Sequence, residues 1–175
     1  MLDSYIEDTP DLLRMFQDEN DQGFQPPGSF PVTVDITALY TNVPTHGAIG
    51  GLQAFKKALQ KRILDEKSKI PSMFLVELLK LVLDGNIFEF DNNLWHQQIG
   101  TAMGTKIAPT YANIFMGWLE ETMLESWSNN KSGPNPYMWR RYIDDIFFLW
   151  RGTVKELKNF IAHLNSQLAH THSMP

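Results

Sequence analysis

Two adjacent aspartates, Asp144 and Asp145, separate Tyr142-Ile143 from the apolar run Ile146-Phe147-Phe148-Leu149-Trp150. Neighbouring carboxylates repel one another and lose hydration if buried, so a strand pair does not favour them. A surface hairpin turn accounts for them, since aspartate is a common turn residue. With 11 aspartates in the chain, about 0.6 such pairs are expected by chance, so the pair alone decides nothing. A third acid, Asp35, lies inside Val32-Thr33-Val34-Asp35-Ile36, where strand propensity disfavours it. It too has a plain reading, as a strand-end residue accepting backbone hydrogen bonds in the turn toward Thr41-Asn42. If the two strands lie side by side, a sharper reading follows: three carboxylates converge at one point, tolerable only with divalent cations. Oxygen ligands without His or Cys suit Mg²⁺, which takes one or two carboxylates together with substrate phosphates. Two such ions stabilise the attacking and leaving oxygens of an in-line displacement, so the indicated chemistry is nucleotidyl or phosphoryl transfer.

Two further features bear on the same chemistry. Gly100-Thr101-Ala102-Met103-Gly104 is a glycine-bracketed loop leading into a helix; it reads as a turn, or as a close backbone approach to a nucleotide or template strand. Tyr40, five residues after Asp35, is an aromatic able to pack under a sugar ring, and equally a core tyrosine.

The elements that must hold these residues follow from periodicity. Thr9 to Glu19 is expected to be a short helix with Thr9 as N-cap, Pro10 in the first position and Leu12, Leu13 and Phe16 as its stripe. Asp18 to Ser29 is a loop. Phe30 to Ile36 is a β-branched strand expected to be buried on both faces, and Ala38 to Pro44 leaves it through a turn. A helix from about Gly47 to Lys67 carries Ile49, Leu52, Phe55, Leu59 and Ile63 on one face, with Lys56, Lys57, Lys61 and Arg62 elsewhere. Ser72 to Leu83 is apolar on nearly every side, predicting a buried helix that stops at Asp84-Gly85-Asn86. Ile87–Phe90 and Leu94–Gln97 flank Asp91-Asn92-Asn93 as a hairpin. A helix follows from Pro109, or a few residues earlier, to Trp127, then a loop from Ser128 to Pro136. Met138–Ile143 and Ile146–Trp150 read as strands, and Thr153-x-x-Glu156 is a capping box opening a helix through Leu168. The mixture predicts an α+β domain with a partly antiparallel sheet.

Composition narrows the class without choosing a function. The 175 residues are 43% hydrophobic and 12% aromatic, which argues against intrinsic disorder. The absence of cysteine removes disulfide and thiolate-zinc chemistry and fits a reducing compartment. No run of 18 apolar residues occurs, and the acidic N-terminus is unlike a signal peptide, so neither membrane nor secretion is expected. The formal charge of −5 is concentrated in the first 30 residues, which carry −6 and leave +1 for the rest. A nucleic-acid partner therefore stays open.

Taken together and in order, these pieces resemble the palm of a reverse transcriptase over Tyr5 to Gln167. Val34 to Pro44 (Val-Asp-Ile-Thr-Ala-Leu-Tyr-Thr-Asn-Val-Pro) resembles motif A. Gly100 to Gly104, continuing through Pro109 to Ala112-Asn113, resembles motif B. Tyr142-Ile143-Asp144-Asp145 resembles the aromatic-x-Asp-Asp box of motif C. The wording of motif A, Met103-Gly104, and the Trp139-Arg140-Arg141 lead-in are most similar to Penelope-like retroelements, relatives of telomerase reverse transcriptases.

The resemblance implies a palm fold, a ferredoxin-like (RRM-like) antiparallel sheet with helices on one face, with part of the fingers and no thumb. It implies an RNA-directed DNA polymerase that uses an RNA template, a DNA primer and dNTPs in a two-metal reaction, with Mg²⁺ replaceable by Mn²⁺. Asp35 and Asp144 would be the principal metal ligands, Asp145 would complete the cluster, and the carbonyl of Ile36 would add a ligand. The amides of Ala38 and Leu39 would face the triphosphate, Tyr40 would exclude a ribose 2′-OH, and Met103 and Gly104 would line the nucleotide pocket. Met103 stands where many reverse transcriptases have Gln, which removes an amide donor. Arg140, Arg141, Lys57 and Lys61, with Lys56 and Arg62, would be the phosphate contacts, and the location would be nuclear. Residues 1–29 would be an acidic helix and loop, 30–168 the palm with partial fingers, and 169–175, with His170 and His172, an unstructured non-family tail. The expected product is a truncated fragment. An inactive or domesticated nucleic-acid-binding remnant is the alternative, and a Mg²⁺-dependent nuclease is a third that gives Tyr40 and the Gly100 loop no role.

Overall fold

The computed structural model describes residues 4–21, 28–45, 51–65, 70–102, 104–130 and 133–172. Among these the order is α1 (Thr9–Asp21), β1 (Phe30–Asp35), α2 (Leu39–Asn42), α3 (Gly51–Asp65), α4 (Ser72–Asp84), β2 (Ile87–Phe90), β3 (Asn93–His96), α5 (Ala108–Asn129), β4 (Tyr137–Tyr142), β5 (Asp145–Trp150) and α6 (Val154–His172). The fold is α+β with small antiparallel sheets. It divides into two compact units, one of Met1–Thr37 with Leu119–Ala169 and one of Ala38–Trp118 with His170–Pro175, where the sequence suggested a single palm segment.

The first unit is built on the antiparallel sheet β1-β5-β4. β1 alternates half-buried and exposed positions instead of being buried on both faces. Phe30, Val32 and Val34 point inward, while Pro31, Thr33 and Asp35 point out. Among the described residues β1 pairs only with β5, an edge position that accommodates the missing N–H of Pro31. The inner face carries an aromatic cluster. Trp139 stacks on Phe148 with centroids 5.1 Å apart, Trp150 stacks on Phe160 of α6 at 5.2 Å, and Trp127 of α5 meets Phe160 edge-on at 5.1 Å. Each fully buried ring of this kind is worth roughly 2–3 kcal/mol of hydrophobic transfer. The outer face is partly covered as well, because Phe16 of α1 meets Phe147 edge-on at 5.3 Å. Helices thus contact both faces of this sheet, where the resemblance implied one.

Local signals set the helix ends. The N-cap of α1 is Asp8, one residue before the expected Thr9. Its Oδ1 accepts from the Asp11 amide at 2.8 Å, and Asp11 reaches back to the Glu7 amide at 3.2 Å. The capping box of α6 forms as expected: the Thr153 amide donates to Glu156 at 2.8 Å and the Glu156 amide to the Thr153 hydroxyl at 3.2 Å. These bonds hold the Glu156 carboxyl below its ordinary range, the Thr153 amide contributing most. α6 continues to His172, so residues 169–172 are helical, contrary to the expected unstructured tail.

The second unit contains α2, α3, α4, the β2–β3 hairpin and the start of α5. α3 buries Ala54 and Leu59 and exposes Lys56 and Lys57. The side chains of Ile49, Lys61, Arg62 and Ile63 lie outside the described residues. α4 buries Val76, Leu79 and Leu83 but exposes Met73, Phe74, Leu78 and Leu81, so the expected fully buried helix is buried on one face only. The hairpin turn is Asp91-Asn92, both at positive φ (53° and 57°), which is the type I′ geometry of a two-residue loop, and Asn93 already pairs with Phe90. Tyr111 is buried, its hydroxyl donating to the Pro44 carbonyl at 2.9 Å, and burial pushes the phenol above its ordinary range. No described helix is long and apolar enough to cross a membrane.

Candidate functional site

The β1–β5 register places Asp35 directly opposite Asp145. The Ile36 amide donates to the Asp144 carbonyl at 3.0 Å, so the next pair along, Asp35 and Asp145, is a non-hydrogen-bonded one. Side chains approach most closely in such pairs, with Cβ atoms about 4.5–5.5 Å apart, and like charges there are destabilising. Both aspartates are exposed. Among the described residues no cation or donor group is bonded to the carboxylates of Asp35, Asp144 or Asp145. A sheet gains nothing structurally from this pair, which makes it the strongest candidate for function.

Asp144 occupies a different position. The connection between β4 and β5 is the two-residue turn Ile143-Asp144, one residue earlier than the Asp144-Asp145 break suggested, because Asp145 is already a strand residue paired with Tyr142. Successive residues point to opposite sides, so Asp144 and Asp145 cannot both face Asp35 in this arrangement. Among the described residues no three His, Asp or Glu side chains gather closely enough to hold an ion. The expected convergence of three carboxylates is therefore a facing pair, Asp35 with Asp145, and a third carboxylate in the adjoining turn. The resemblance ranked Asp144 above Asp145; the register gives the place opposite Asp35 to Asp145. Two exposed carboxylates, all-oxygen donors, suit a hard cation such as Mg²⁺, which keeps several of its waters.

The turn is strained. Ile143 has φ of 54°, a left-handed conformation that a β-branched residue adopts at a cost of about 1–3 kcal/mol. The side of the turn away from Asp35 is held by a buried polar network. Arg141, with no exposed surface, donates through Nε to Glu120 at 2.8 Å and through Nη1 to the Ile143 carbonyl at 2.8 Å. The second Glu120 oxygen accepts from the Ser4 hydroxyl at 2.6 Å. Sequence reasoning missed Glu120 and Ser4, since nothing local links residues 4, 120 and 141. It also placed Arg141 among phosphate contacts, which burial and the ion pair preclude. Arg140 is half-buried, donates to the Trp139 carbonyl at 2.8 Å, and shares the outer face with Asp145 and Asp35 by its register opposite Phe147.

The motif A and motif B residues beyond Thr37 belong to the second unit. Ala38 is left-handed (φ 53°, ψ 45°) and opens the short helix α2, in which Leu39 is buried and Tyr40 half-buried. The Thr101 amide donates to the Tyr40 carbonyl at 2.8 Å, so the segment after β1 and the Gly100 loop meet through their backbones. Gly100 makes this contact possible: its φ is +78°, and a Cβ there would lie 2.5 Å from the carbonyl oxygens of Tyr40 and Thr41. Gly104 is exposed with open space around it, and Met103 lies outside the described residues. Lys57 is exposed on α3. No protein-family model matches the chain, and no curated protein matches it.

Proposed function

We propose that the chain is the palm of an RNA-directed DNA polymerase of the Penelope-like retroelement type. It would extend a DNA primer on an RNA template by adding deoxynucleotides to the primer 3′-hydroxyl, in the nucleus. The observation that carries the reading is the Asp35–Asp145 pair: two exposed, directly opposed carboxylates with no cation bonded to them among the described residues, where the segments that resemble motifs A and C pair. The ordered motif resemblance supports it from the sequence side.

Asp35 and Asp145 would hold Mg²⁺, with Asp144 in the adjoining turn, and the resemblance assigns the Ile36 carbonyl as a further oxygen. Bound Mg²⁺ (or Mn²⁺) lowers the pKa of the attacking hydroxyl and balances triphosphate charge. The protein's own part is to hold the carboxylates at fixed spacing and to present Arg140 on the same face, where a phosphate backbone would lie. The resemblance assigns Ala38 and Leu39 to the triphosphate, Tyr40 to sugar discrimination, and Met103 and Gly104 to the nucleotide.

The test is incorporation of labelled dTTP by the full chain on an RNA template with a DNA primer, in Mg²⁺ and in Mn²⁺. Incorporation that requires the template and is abolished by Asp35→Asn is the expected result. Binding of primer–template without incorporation under any metal would overturn the polymerase reading and leave the nucleic-acid-binding remnant in its place.

A further inference from the structure

The buried network behind the aspartates does something the proposed polymerase motifs do not assign. Arg141 is tied down through both its backbone and its side chain. Its backbone amide donates to the Ser4 carbonyl at 2.6 Å, its Nε to Glu120 at 2.8 Å, and its Nη1 to the carbonyl of Ile143 at 2.8 Å. Its own carbonyl accepts from the Ile6 amide at 2.8 Å, so the segment around Tyr5 runs parallel to β4 and clamps it. Ile143 is the residue in the strained left-handed conformation. A β-branched residue at positive φ persists only where its surroundings over-determine it.

We propose that Arg141 is a positioning residue: with Glu120 and Ser4 it locks the Ile143 carbonyl, keeps the turn in its strained form, and so fixes Asp145 opposite Asp35 with Asp144 in the adjoining turn. A salt bridge serving stability alone would not need to reach the turn, since well-packed apolar residues of similar volume replace buried ion pairs at little or no cost. The guanidinium joins Glu120 of α5 to the carboxylate turn, and the N-terminal segment is tied in through the Arg141 backbone and the Ser4–Glu120 bond. As a statement about metal affinity the proposal rests on the polymerase reading; as a statement about the turn it does not.

The decisive variant is Arg141→Met combined with Glu120→Gln, which removes both buried charges and keeps an acceptor for the Ser4 hydroxyl. Arg141→Lys, which keeps the charge without the planar fork, carries the same test if the double variant does not fold. Two measurements are made on each: the φ-dependent amide–Hα coupling and carbon shifts of residue 143 by NMR, and Mn²⁺ affinity by electron paramagnetic resonance. The expected result is that Ile143 leaves positive φ and Mn²⁺ affinity falls about tenfold, the usual size of an outer-shell effect. Adding Ile143→Gly, which populates positive φ without strain, is expected to restore the affinity. An Ile143 signal unchanged in the variants, or an affinity loss that glycine does not rescue, overturns the positioning role. If the wild-type chain takes up no Mn²⁺, the polymerase reading fails while the Ile143 coupling still decides the role of Arg141.

Discussion

Replacing Asp35 with Asn tests the carboxylate pair through stability before any activity is measured. Asp35 and Asp145 oppose each other in a non-hydrogen-bonded register with no cation bonded to either among the described residues. At a separation of about 5 Å, two unit charges in water repel by about 0.8 kcal/mol, within the range measured for cross-strand pairs. Asp35→Asn keeps the shape and removes the repulsion, so in EDTA the variant is expected to be more stable by about 0.5–1 kcal/mol. For a chain of this size that raises the melting temperature by about 2 °C. The difference should shrink as NaCl approaches 1 M, where the screening length falls to about 3 Å. With Mg²⁺ the order reverses: at a concentration one hundred times its dissociation constant, a ligand of the folded state stabilises wild type by about 2.7 kcal/mol, and the variant loses most of that gain. Urea denaturation followed by tryptophan fluorescence, with EDTA and then with Mg²⁺, measures both signs. A variant less stable than wild type in EDTA, or Mg²⁺ stabilising the two equally, refutes the reasoning.

Thr153→Ala is expected to destabilise the chain by about 1 kcal/mol through loss of the α6 cap, read from urea midpoints. Because the folded-state pKa of Glu156 is depressed, its contribution is present above the unfolded carboxylate value and is lost as pH falls through the lower folded value; the urea midpoints of wild type and Glu156→Gln should therefore differ at pH 7 and draw together as the pH falls below the ordinary carboxylate range. Tyr111→Phe strips a buried bond from the Pro44 carbonyl and should cost about 1–2 kcal/mol. Because burial raises the folded pKa of Tyr111, wild type should lose stability relative to Tyr111→Phe as pH rises above the ordinary phenol value, read from urea midpoints across that range. Gly100→Ala forces a Cβ toward two carbonyl oxygens at positive φ and should cost at least about 2 kcal/mol, measured by urea denaturation; unchanged stability would mean that the Thr101–Tyr40 backbone contact is not the close one described.

Features legible in the sequence are those set by interactions over a few residues. The capping box at Thr153 and Glu156 needs only a hydroxyl and a carboxylate three positions apart, and it forms as read. The β2–β3 hairpin and the strand–turn–strand bearing Asp144 and Asp145 follow from alternation around polar residues, each displaced by one residue. That single residue matters at the site, because side chains alternate across a strand and a shift of one changes the face; whether Asp144 or Asp145 meets Asp35 depends on where the turn closes. Burial of Arg141 was illegible for another reason. A charged residue looks solvated until its partners are known, and Glu120 and Ser4 are distant in sequence. α4 looked buried all round because its composition is apolar, but packing covers only the Val76–Leu79–Leu83 stripe. The sequence by itself determined the α+β class, the approximate elements, and three acids flanked by strand-forming residues. Only the tertiary structure decided which two carboxylates stand face to face, which arginine lies behind them, and how the turn between is held, since register and burial arise from contacts between segments far apart in the chain.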